Sequence, residues 1–248
     1  SKAAPKTGSD GFGYKICEKF GHTINKPLPA LVQLTADEKY LKQWQGIRAE
    51  VSIKLIENGK EIAKEKGEIQ LTNYGISGIC VFNLSGRASK GLEENKKESV
   101  EINFLDGLNI KNEKQFINWM DNRDRILNDR NILEELEGII DYKLAKILLD
   151  LSRVNPISKW NKLDEKQKNR LAQNIVKFTI NITGTNSYEN AQVCTGGVKL
   201  SEIDTKTMQS KKIDGLFITG ETIDVDGDCG GYNLEWAWIT GMIAGKSV

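Results

Sequence analysis

The stretch from Gly215 to Gly245 leaves a chain of this kind few ways to fold. It opens on Leu216-Phe217-Ile218-Thr219 between Gly215 and Gly220, a short apolar run bounded by glycines, which is the pattern of a buried strand in a parallel sheet. From Glu221 the chain passes Asp224, Asp226, Gly227, Asp228, Gly230 and Gly231 and enters Tyr232-Asn233-Leu234-Glu235-Trp236-Ala237-Trp238-Ile239. That last segment is apolar nearly all round as far as Gly245, so a helix there is expected to be buried. Strand, glycine-rich loop and buried helix together make half of a ligand site, because open α/β sheets bind ligands beyond the carboxyl ends of their strands.

Charge narrows the ligand. Glu221, Asp224, Asp226 and Asp228 crowd one loop, and no Lys or Arg occurs between Lys212 and Lys246. Such a loop repels a pyrophosphate and suits either a polyol, whose hydroxyls donate to carboxylates, or a hard cation. The amides around Gly231, Tyr232 and Asn233, at the start of the expected helix, favour a partner that accumulates negative charge.

Gly215 to Glu221, followed by Asp224-Val225-Asp226-Gly227-Asp228 and Gly230-Gly231-Tyr232-Asn233-Leu234, resembles the C-terminal signature of a family of bacterial FAD-dependent oxidoreductases that includes aminoacetone oxidase and a reductase of bile-acid dehydroxylation. Asn190 to Val198, containing Thr195-Gly196-Gly197, resembles the family's penultimate segment, and Pro5 to Gly11 with Gly21-His22 resembles an earlier one. The resemblance implies an α+β or α/β chain in which Rossmann-like FAD-domain parts flank a β-barrel-like insert with a helical subdomain. It implies FAD as cofactor, NAD(P)H as a candidate reductant and a small-molecule substrate. Glu221 is expected at the ribityl hydroxyls, and the backbone of Gly231, Tyr232 and Asn233 at the pyrimidine edge of the flavin. Gly220, Gly230, Thr195, Gly196 and Gly197 are expected to border the cofactor, while Asp224 holds the loop in shape. Lys6 and Ser9 are expected near the flavin. No catalytic acid or base and no metal ligand stands out.

Flavoproteins of this kind begin with a Gly-x-Gly-x-x-Gly turn for the pyrophosphate. This sequence has none, and it opens Ser1-Lys2-Ala3-Ala4. The expectation is a C-terminal part of a longer enzyme whose dinucleotide-binding segment is the missing partner, leaving this part inactive and without FAD by itself.

Net charge is +1, with both signs well mixed, which gives no basic field for nucleic acid. No apolar run reaches membrane-span length. Cys17, Cys80, Cys194 and Cys229 lie far apart and suggest neither zinc nor a disulfide framework, so a cytoplasmic setting is expected.

The flavin-domain remnant is placed at residues 1–26, with a helix ending near Gly21. His22, the one histidine, reads as a capping or packing residue more than as a base. Residues 27–106 and 174–190 read as β-rich, with strands over 30–35, 47–56, 61–71, 100–105 and 176–182, a hairpin turn at Asn58-Gly59, and a solvated turn over Lys90 to Lys97. Residues 107–173 read as helical, with Phe116, Trp119, Met120, Ile126 and Leu127 on one stripe and Asp141 capping a second helix. Residues 191–248 return to the flavin domain. One rival reading is a calcium loop, since Asp224, Asp226, Asp228 and Glu235 have EF-hand spacing, although Cys229 stands where Gly is wanted. The other is an interaction or gating module without chemistry.

Overall fold

The computed structural model describes residues 1–126 and 129–248. Its main elements in chain order are α1 (Phe12–Lys19), β1 (Ile24–Ala30), β2 (Arg48–Glu57), β3 (Lys60–Thr72), β4 (Gly75–Ser77) and α2 (Ile79–Glu93). They are followed by β5 (Glu98–Asn103), α3 (Glu113–Asp124), α4 (Ile132–Glu137), α5 (Tyr142–Leu151), α6 (Glu165–Val176), β6 (Phe178–Ile182), β7 (Val193–Val198) and α7 (Tyr232–Ser247). Two units result. Residues 1–34, 81–94 and 184–248 form the first, and residues 35–80 and 95–183 form the second.

The second unit is built on an antiparallel sheet. Val51, Ile53 and Leu55 of β2 are buried while Lys54 between them is exposed, the period-two pattern seen in the sequence. β2 turns into β3 through Asn58 and Gly59, whose φ values of 49° and 82° are those of a primed hairpin turn. Pairings Leu55↔Val100, Val100↔Ile180 and Leu71↔Ile76 extend the order to β6-β5-β2-β3-β4. At its β4 side the amide of Ala36 donates to Tyr74 O, and that of Thr183 donates to Thr35 O, each at 2.9 Å, so the sheet curls.

The helical block belongs to this same unit. Asp141 caps α5 by accepting the Lys143 and Leu144 amides, and α5 buries Leu144, Ala145, Ile147, Leu148 and Leu149. A capping box of Asp164 and Gln167 starts α6. That helix runs through Val176, so the following strand begins later than the alternation suggests, at Phe178. α3 buries Phe116 and Met120 but ends at Asp124. Ile126 lies beyond it, 81% exposed, and Leu127 falls outside the described residues.

In the first unit β1 and β7 pair antiparallel, with Leu28 opposite Thr195 and Ala30 opposite Val193. Cys17, Val198, Ile203, Met208, Ile218, Ile223 and Ala244 form its core. Three expectations fail here. Leu216–Thr219 is not a strand of a parallel sheet: it makes a single antiparallel bridge, Gln209↔Phe217. Its cross-strand bonds run from Ser210 N–H to Leu216 O and from Ile218 N–H to Met208 O.

Within the stretch expected to be β-rich, with a solvated turn from Lys90, residues 79–93 instead form one helix. Val81, Leu84, Ser85 and Ala88 are buried, a face at i, i+3, i+4 and i+7 that the glycines of the stretch conceal. Finally, α7 forms as expected but is not buried. Thr240 and Ala244 alone are buried within it, while Tyr232, Leu234, Trp238 and Met242 are 61%, 63%, 70% and 61% exposed. Only a narrow strip around Trp236, Ile243 and Ala244 packs on the core.

Candidate functional site

The acidic loop is fixed by its own side chains. Gly220 is gripped from α7 at both backbone groups: its amide donates to Thr240 Oγ1 at 2.9 Å, and its carbonyl accepts the Trp236 indole N–H at 3.1 Å. Glu221 Oε1 accepts the Cys194 amide and the Ser1 hydroxyl, both at 2.6 Å. Tyr14 donates to the Glu221 carbonyl at 3.3 Å. Burial pushes the Tyr14 phenol and the Cys194 thiol up, and Glu221 adds to both shifts. Cys194 is therefore held as a thiol and is poorly suited to nucleophilic chemistry.

Asp224 is the loop's main brace. Its two oxygens accept the Gly196 amide at 3.0 Å and the Asn25 amide group at 2.7 Å. Asp226 accepts the hydroxyl of buried Thr195 at 2.7 Å. Asn233 clamps Gly227 from both sides, donating to its carbonyl and accepting its amide, each at 2.9 Å. Asn83 accepts the Cys229 amide at 2.9 Å.

Gly196 and Gly197 sit within β7, and the space beside them is filled by protein. A Cβ on Gly196 would lie 2.3 Å from the Lys26 carbonyl oxygen, and one on Gly197 would lie 2.7 Å from that of Thr222. Their small size serves close backbone packing. Gly231, at φ 95°, turns the chain into α7 and leaves the helix without a side-chain N-cap. The first amides of α7 lack intrahelical partners, and Glu235 N–H to Gly231 O is the first rung of the ladder. The residues expected around a cofactor fall in separate bonded groups: Glu221 and Asp224 hold the Cys194 and Gly196 amides of β7, Thr195 is tied to Asp226, Gly220 to Trp236 and Thr240, and Asn233 to Gly227, while Gly197 packs on the Thr222 backbone. Gly230 and Tyr232 stand at the entry to the helix. Lys6 is exposed and Ser9 half-exposed, outside these groups.

The calcium reading does not fit this geometry. Asp224 has both oxygens committed, a turn over Gly220–Thr222 stands where an EF-hand helix belongs, and among the described residues no three His, Cys, Asp or Glu side chains gather for a cation.

His22 is a packing residue with a full set of partners. It is 3% exposed, with Nδ1 3.0 Å from Glu202 and Nε2 2.8 Å from Ser210 Oγ. Ser210 Oγ already accepts the Lys212 and Ile213 amides at 3.0 Å, so it donates its proton to Nε2 while Nδ1–H donates to Glu202. A Ser-His-Glu order invites comparison with hydrolases, but this serine is 5% exposed and acts as an acceptor in a turn. Burial raises the Glu202 carboxyl, yet hydrogen bonds from Lys212, Thr23 and His22 outweigh it and hold the group down to about 2.

Sequence reading missed α2 as a wall of the site. Asn83, Arg87 and Lys90 recur at four- and three-residue spacing along it, which is the helical signal that was available.

Unit, loop and braced helix define the class: a mixed α/β protein whose first unit assembles an acidic turn against an open helix N-terminus. The chain belongs to the HI0933-like family, whose Rossmann-domain model matches residues 1–247. It is 37% identical over 246 residues to a 3-dehydro-bile acid delta(4,6)-reductase of Clostridium scindens, covering 99% of this chain and 59% of that protein. It is also similar to ribosomal RNA dihydrouridine synthases of Haemophilus influenzae, at 31% identity over 98% of this chain and 57% of the relative, and of Escherichia coli, at 28% over 98% and 59%. The chain thus spans well under two thirds of the length of these relatives. Among the described residues no helix is long and apolar enough to cross a membrane.

Proposed function

We propose that this chain is the C-terminal part of a flavin-dependent oxidoreductase and supplies the ring and ribityl half of its FAD site, with the second unit as a barrel-like insert. The observation that carries this reading is the conjunction at Gly220–Asn233: a carboxylate-bearing turn, locked to α7 by Trp236 and Thr240, runs directly into an uncapped helix N-terminus. Glu221 would take ribityl hydroxyls on its free carboxylate edge, and the amides of Gly231, Tyr232 and Asn233 would face the pyrimidine oxygens. Asp224 and Asn233 act one step back, holding the Gly196 and Gly227 backbones in place. When bound, the flavin supplies hydride transfer, and the chain's residues position the ring and stabilise negative charge on it.

Three further observations support the reading. The sequence lacks a Gly-x-Gly-x-x-Gly cradle, the chain spans 59% of its bile-acid reductase relative, and α7 keeps a broad apolar face open. All three fit a longer enzyme whose remaining residues hold the FAD pyrophosphate. NADH or NADPH would be its reductant, and its substrate is a small molecule. The test is Glu221→Gln in that longer enzyme. FAD affinity should fall about tenfold, the effect of one charge-assisted hydrogen bond, while Glu202→Gln in the remote knot leaves it unchanged. Unchanged affinity in Glu221→Gln would remove the ribityl assignment.

A further inference from the structure

Between α2 and the acidic loop the first unit encloses a cavity of about 390 Å3, a size within the range of small-molecule sites. Its two walls carry opposite charge. Arg87 and Lys90 line the helix side; Asp226 and Asp228 line the loop side. Among the described residues neither cation is paired with an acid, and no ion pair spans the gap.

Collapse of one wall onto the other would neutralise both, but the loop is pinned in place. Asn83 holds the Cys229 amide, Asn233 brackets Gly227, and Thr195 holds one oxygen of Asp226. At the narrow end α2 already touches the loop, since a Cβ on Gly86 would lie 3.3 Å from the other Asp226 oxygen and 3.4 Å from the Ala30 side chain. One residue further on, Arg87 stands at the cavity. A pinned loop and a rigid helix that face each other with unneutralised charge are suited to a dipolar guest.

We propose that this cavity binds an anionic polyol, with a phosphate or carboxylate on Arg87 and Lys90 and hydroxyls donating to Asp228 and the open oxygen of Asp226. Arginine suits the anion through its planar fork of donors, and acceptor-only carboxylates suit hydroxyl hydrogens. The site goes beyond the flavin reading and uses residues outside the proposed ring and ribityl contacts, apart from Thr195, which acts through Asp226.

Calorimetry on the chain with ribose 5-phosphate, gluconate, ribose and inorganic phosphate tests it. At least one of the two anionic polyols should bind roughly tenfold or more tightly than either ribose or phosphate, since each adds a charge-assisted contact to what those fragments make. Preference for ribose 5-phosphate identifies a phosphate ligand, and preference for gluconate a carboxylate. Arg87→Gln and Lys90→Gln, both at exposed positions, should each weaken the anionic polyol while leaving ribose unchanged. Asp228→Asn should weaken the polyol but not inorganic phosphate. The proposal is overturned if neither anionic polyol binds more tightly than ribose, or if the Arg87 and Lys90 variants, folded by circular dichroism, bind it as the unaltered chain does. Neither result bears on FAD affinity, which Glu221→Gln reads separately.

Discussion

At the residue scale, two carboxyls, one half-buried and one fully buried, respond to pH with opposite sign. Glu202, held down to about 2 against an ordinary 4.5, contributes stability that is present above about pH 4.5 and is lost as pH falls towards 2. Glu202→Gln should destabilise the first unit at neutral pH by about 1.5–3 kcal/mol, the worth of hydrogen bonds to a charged group, and the gap should close on acidification. Thermal melts of both forms at pH 7 and pH 3 check this. Glu135 in the second unit is fully buried, and among the described residues neither of its oxygens has a hydrogen-bond partner. Desolvation first, and the Asp124 charge second, push its carboxyl up to about 7. A raised acid costs stability above that value, so Glu135→Gln should raise the melting temperature at pH 8, and the difference should vanish below about pH 4.5. A variant that melts lower at pH 8 would contradict the assignment. His22 shows what spacing alone conveys: a histidine after a helix-ending glycine read correctly as packing, but its partners Glu202 and Ser210 lie about 180 residues away along the chain.

At the element scale, local chemistry was legible wherever it was self-contained. The Asn58-Gly59 turn, the β2 alternation and the Asp141 cap each rest on residues within a few positions of one another, and each is found in the structure. α2 was illegible because glycines at its start and middle suggest loop, while its buried face becomes clear only once β1 and β7 lie against it. The Leu216–Thr219 run failed for the complementary reason. Its composition suits a buried strand, but strand formation depends on neighbours, and among the described residues only 208–210 pair with it. For α7, apolarity all round was read correctly and burial was not, because burial is a property of what surrounds a helix. Trp238, 70% exposed here, should be freely quenched by iodide in this chain and protected in the longer enzyme, whereas buried Trp44 and Trp160 should resist in both. Equal quenching of Trp238 in the two proteins would count against a covering segment.

For the whole molecule, the residues of the candidate site were largely legible and their roles less so. Most of the expected cofactor residues lie in or against the Gly220–Asn233 turn, yet Asp224, Asn233, Gly196 and Gly197 serve the loop's own geometry, and Arg87 and Lys90 stand on a helix the sequence did not announce. The division into two units also crosses the chain several times, since residues 81–94 join the first unit from within the second, an arrangement that no linker composition marks. The account's central claim is that the turn at Gly220–Asn233 holds the ring end of FAD in a longer enzyme. The most direct measurement is the visible absorbance spectrum of that enzyme beside that of this chain, each after incubation with FAD and desalting. The account predicts retained flavin absorbance for the longer enzyme, bleached under anaerobic NADH or NADPH, with little or none for this chain alone. A longer enzyme that stays colourless, or a tight stoichiometric yellow complex of the 248 residues by themselves, would contradict it.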